Sequence, residues 1–80
     1  MEERLEEFVA RCGRLDKVEE EAVKKRWLEL SPSEIWRMTP EEVVKTAIML
    51  NRNPDARRFD IPFKIPSVEE TRQALWCEMA

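Results

Sequence analysis

The sequence has no histidine, no tyrosine and a single glycine, Gly13. Without histidine the chain lacks the commonest general base and the commonest nitrogen ligand for a metal. Its two cysteines, Cys12 and Cys77, are too few for a thiolate zinc site and are not spaced as Cys-x-x-Cys. One glycine cannot make a glycine-rich phosphate loop. No apolar run approaches the roughly 18 residues of a membrane-spanning helix, and the opening Met-Glu-Glu-Arg lacks the basic-then-apolar order of a secretory signal. These absences predict a cytoplasmic chain that is not an enzyme and uses no cofactor and no metal. The numerous carboxylates do not change that reading, because most stand at helix caps or on charged faces and none form a paired acid and base.

What is abundant is charge. Charged residues make up 39% of the chain, while amides and hydroxyls are few, a usage found in proteins of heat-loving organisms and their viruses. The formal net charge of −3 argues against general coating of nucleic acid or of an anionic membrane. At 80 residues the chain makes one domain, and about 60% of its unfolded surface can be buried. In so thin a core, each cap and each large side chain matters more than in a bigger protein.

The chain is organised around Ser31–Leu50, which opens a helix twice. Ser31-Pro32-Ser33-Glu34 and Thr39-Pro40-Glu41-Glu42 each offer a hydroxyl N-cap, a proline at the first helical position and a glutamate at N3. Ile35, Trp36 and Met38 form a short apolar turn between them. Val43, Val44, Ala47, Ile48 and Leu50 then make a helical stripe.

Before this stretch, Leu5, Phe8, Val9 and Cys12 fall at i, i+3, i+4 and i+7, the apolar face of a helix over Glu2–Cys12. Gly13 is expected to end it as a left-handed residue. Asp16 caps a second helix, Lys17–Leu30, with Val18, Ala22, Val23, Trp27 and Leu30 inward and Leu15 as a staple. Glu19-Glu20-Glu21 followed by Lys24-Lys25-Arg26 reads as a solvated face of i, i+4 pairs. The third main helix is Pro40–Asn51, closed by Asn53-Pro54. Ser67 caps the last, Val68–Met79, with Val68, Thr71, Leu75 and Met79 inward. The expected fold is therefore all-α: a small orthogonal bundle of four main helices plus a short helix at Pro32–Arg37, forming one domain over residues 1–80.

One segment breaks the helical pattern. In Pro54–Pro66 the apolar Phe59, Ile61, Phe63 and Ile65 alternate with Asp60, Pro62, Lys64 and Pro66, the period of an extended chain. It reads as a strap across the bundle with its apolar side inward, the alternative being an extended edge completed by a partner chain. Arg57, Arg58 and Lys64 stay outside as a contact surface.

Two classes of function remain. The first is a protein-interaction module or accessory subunit, with Trp36 and Trp76 as large anchors that a thin core leaves available. The alternative is a nucleic-acid-binding protein or an accessory domain of a nucleic-acid enzyme. It would use Arg52, Arg57, Arg58 and Lys64 to hold phosphate beside stacking phenylalanines. The short-helix, long-helix order has the outline of a helix-turn-helix, but the would-be recognition helix begins with Glu41-Glu42, which DNA repels. A protein partner is the main expectation. No membrane is expected, and self-association is left open. The cysteines read as two buried reduced thiols, with a disulfide between the first and last helices as the alternative.

Overall fold

Thr39 and Pro40 start the helix on which the other elements pack. The computed structural model describes residues 4–56 and 67–79. Helices α1 (Leu5–Cys12), α2 (Lys17–Glu29), α3 (Pro40–Arg52) and α4 (Val68–Met79) are joined by two 3-10 turns, η1 (Pro32–Arg37) and η2 (Pro54–Ala56). There is no strand among the described residues. The all-α architecture is as the periodicity predicts. The non-helical reading of Pro54–Pro66 does not hold at its start, where Pro54–Ala56 form the 3-10 turn η2. The rest of it, residues 57–66 with Arg57, Arg58 and Lys64, lies outside the described residues.

α3 lies between α1, α2 and α4 and also touches η2, while η1 rests on α4. Val43, Val44, Thr46, Ala47, Met49 and Leu50 of α3 are all buried, so the helix is covered on most of its circumference. Around it Trp27, Ile35, Met38 and Leu75 complete the core, with Leu15, Val23, Leu30, Val68 and Met79 packed at its edge. Full burial of one such aliphatic side chain contributes about 1.5–3 kcal/mol. Truncating Leu50 or Leu75, both at 0% exposure, therefore removes a large part of a small core.

Three caps form as the sequence dictates. Asp16 accepts the amide of Glu19 at 2.7 Å, Thr39 that of Glu42 at 3.2 Å and Ser67 that of Glu70 at 3.2 Å. Ser31 differs. The amide of Glu34 bonds the Ser31 carbonyl at 3.0 Å, the tight 3-10 pairing, and is not available to the hydroxyl. Ser31 Oγ instead donates to Glu34 Oε1 at 3.1 Å.

Gly13 also differs from expectation. Its φ of −74° and ψ of −6° are right-handed, and its amide continues the helical ladder to Val9 O at 2.9 Å. The end of α1 is closed from outside: Arg52 Nη2, at the end of α3, donates to Gly13 O at 2.8 Å.

α2 is turned relative to the sequence reading. Val18 is 80% exposed and Ala22 is also outward. An α-helix advances about 100° per residue, so Val18, nine positions before Trp27, points to the opposite side. Only one of the two can face the core, and the larger one does. The face that follows includes Glu19, Glu20 and Lys24, half-buried rather than fully solvated. Their heads reach other elements: Glu19 to Lys45 at 2.6 Å, Glu20 to Asn53 at 3.1 Å and Lys24 to Asp55 at 3.5 Å. These three bonds of the charge run connect elements instead of decorating one face.

Cys12 is buried and Cys77 is exposed; no disulfide joins them. The expectation of two buried thiols holds for Cys12 only, because Cys77 falls off the inward stripe of α4.

Candidate functional site

The 3-10 turn η1 has six residues, longer than the three or four that such poor hydrogen-bond geometry usually sustains. At its end Ile35 O accepts the Met38 amide at 3.3 Å, and α4 adds a second donor there and one to the C-cap residue Met38. Arg72 is only 8% exposed, and its Nη1 donates to Ile35 O at 2.6 Å and to Met38 O at 2.8 Å. The Glu69 carboxylate stands farther off, Oε1 3.9 Å from Arg72 Nε, and belongs to an exposed side chain. Backbone dipoles are therefore the main bonded partners of this guanidinium.

The clasp has a consequence for the residue it brackets. Trp36 lies between Ile35 and Met38, and Trp76 lies one turn beyond Arg72 on α4. Their ring centroids are 6.4 Å apart and the planes are inclined by 42°, within the range of a favourable aromatic pair. Trp36 is 52% exposed and Trp76 38%. Two residues distant in sequence thus form one partly exposed aromatic surface, on two elements that Arg72 joins. Trp27, by contrast, belongs to the core.

Of the other site residues predicted from sequence, Arg57, Arg58 and Lys64 lie outside the described residues, and Arg52 lies elsewhere. Arg52 is engaged with Gly13 O at the α1 end. Its side chain completes a helix terminus there. Arg72 did not figure in the sequence reading. The signal for it was present: Val68, Arg72, Leu75 and Met79 follow one helical stripe, and a charged residue on such a stripe calls for a buried partner.

A second polar cluster links α1, α2 and α3. Lys45 Nζ lies 2.6 Å from Glu19 Oε1 and 3.0 Å from Glu41 Oε1, and Arg11 Nη1 is 3.5 Å from the same Glu41 oxygen. Hydrogen bonding from Lys45, then its charge, holds the Glu41 carboxyl below its ordinary value of 4.5, with Arg11 adding to the effect. The hydrogen bonds to Glu19 and Glu41 hold Lys45 above 10.5. Arg26 Nη2 faces Glu42 Oε2 at 3.0 Å alongside. Every member has an opposite charge at hand, which is the arrangement of a structural cluster and not of a catalytic pair.

No group of three or more potential metal ligands occurs among the described residues. None of the described helices is long and apolar enough to cross a membrane. Fold and surface together define a small all-α protein with a paired-tryptophan face. No protein-family model, no curated protein and no solved structure matches it.

Proposed function

We propose that this protein is a non-catalytic interaction module, a cytoplasmic accessory subunit that docks on a partner protein through Trp36 and Trp76. The observation that carries the proposal is the exposed tryptophan pair that meets across the η1–α4 junction clasped by Arg72. Tryptophan is among the residues most enriched at binding hot spots, because one side chain supplies a large contact area with little conformational freedom to lose. Pre-organisation reduces that loss further.

The docking role is favoured over helix-turn-helix recognition of DNA by the packing of α3. A recognition helix must offer a free face to the groove, and α3 is covered on most of its circumference by α1, α2 and α4, the partly open remainder beginning with the acidic Glu41 and Glu42. Arg52, one of the four cations of the nucleic-acid reading, already bonds Gly13 O.

The test is affinity purification from the native host with the wild-type chain and with Trp36→Ala/Trp76→Ala, each with and without nuclease. A stoichiometric protein that survives nuclease and is lost with the double variant is the expected result. A partner lost on nuclease treatment and retained by the double variant would assign the chain to nucleic acid instead.

A further inference from the structure

We infer that the occupant of the Trp36–Trp76 surface is a basic segment of the partner protein, with cationic side chains interleaved among apolar ones. The inference rests on the docking role proposed above and adds the chemistry of what docks.

The charges framing the aromatic pair carry it. On η1 and α4 the exposed acids are Glu34, Glu69 and Glu70, against a single exposed cation, Arg37. The other cation of these elements, Arg72, is buried with its Nη1 committed to two carbonyls. Glu69 lies two turns from Trp76 on the same side of α4, since seven residues return a helix to nearly the same face. It also approaches Arg72, whose guanidinium grips the carbonyls on either side of Trp36. An exposed acidic side chain thus shares one side of α4 with Trp76, two turns away, on the rim of a partly exposed indole pair. Indole is the best aromatic partner for a cation, and a nearby carboxylate strengthens the same preference.

A second copy meeting through this face fits poorly. A two-fold contact brings the same patch against itself and would set the acids of one copy against those of the other. An acidic partner segment meets the same repulsion. A basic one gains from both the rings and the rim.

The probe is a randomised short-peptide library selected on the wild-type protein and counter-selected on Trp36→Ala/Trp76→Ala. Tryptophan-dependent binders enriched in Arg or Lys among aliphatic or aromatic residues are expected. Their affinity, measured by titration calorimetry, should weaken about tenfold in Glu34→Lys/Glu69→Lys, as loss and reversal of two exposed attractions implies. It should also fall with added salt. Because Glu34 bonds Ser31, Glu69→Gln/Glu70→Gln provides a second variant that leaves η1 intact, with a smaller loss expected in the same direction. Tryptophan-dependent binders that are neutral or acidic, or basic ones indifferent to both variants, would overturn the inference while leaving the docking role standing. The absence of any tryptophan-dependent binder would overturn both.

Discussion

Arg72→Met separates the clasp from ordinary packing, because methionine keeps much of the apolar stem and removes the guanidinium. In the folded protein the two hydrogens on Nη1 serve two carbonyls, at 2.6 and 2.8 Å. A hydrogen bond to a charged group contributes about 1.5–3 kcal/mol. Without Arg72, Ile35 O keeps the Met38 amide at 3.3 Å, while Met38 O loses its side-chain donor. A buried acceptor left unpaired costs about 1–3 kcal/mol. Against this, the variant no longer carries the penalty of burying a guanidinium, which amounts to several kcal/mol. The contact to Glu69, at 3.9 Å and on an exposed carboxylate, adds little either way. The balance is a destabilisation of about 2–4 kcal/mol. A chain of 80 residues has a total stability of about 4–12 kcal/mol, so the variant stands near the edge of folding. The melting temperature should fall by about 10–25 °C. Urea unfolding followed by far-UV circular dichroism measures the loss. The near-UV spectrum reports separately on the two indoles, whose coupling depends on η1 staying seated on α4. Arg72→Lys, which retains the charge without the planar fork, should fall between wild type and Arg72→Met. A variant within about 1 kcal/mol of wild type with an unchanged near-UV spectrum would refute the clasp.

Thr39→Ala removes the cap that accepts the Glu42 amide and should cost about 1 kcal/mol by urea denaturation; an unchanged midpoint would mean that the cap contributes nothing. Gly13→Ala should stay within about 1 kcal/mol of wild type, because φ is −74° and the added Cβ would meet Val9 O at 3.3 Å, a tight but not prohibitive approach. A much larger loss would point to a left-handed turn there. Glu41 has a folded pKa below 4.5, so its contribution is complete above 4.5 and disappears as pH falls through the depressed value. Wild type should therefore lose stability more steeply than Glu41→Gln on acidification below 4.5, and parallel acid-melting curves would contradict this. Lys45 works in the opposite sense, its contribution being complete below 10.5 and lost as pH rises through its raised folded value.

The sequence by itself determined where the helices lie and how three of them begin. Hydroxyl and carboxylate caps, prolines at first helical positions and the apolar stripe of α3 are local features. Their physics involves residues within a turn or two of one another. The same locality explains what the sequence left open. Val18 and Trp27 are both apolar and belong to one helix, yet they face opposite sides; only packing against α3 decided which of them is buried. Gly13 carried the local sign of a left-handed terminus, but Arg52, far along the chain, supplied the donor that closes α1. The acidic and basic halves of α2 suggested pairs within the helix, whereas Lys45, Asn53 and Asp55 provided partners across it. The aromatic face shows the same division. Trp36 and Trp76 stand out in the sequence as separate anchors, but their approach to 6.4 Å depends on α4 packing against η1. Arg72 makes that junction, and its role became visible only when the Ile35 and Met38 carbonyls were placed beside it. Helix starts obey neighbours in sequence; the tryptophan surface obeys neighbours in space, because buried carbonyls draw their donors from whichever element the core brings against them.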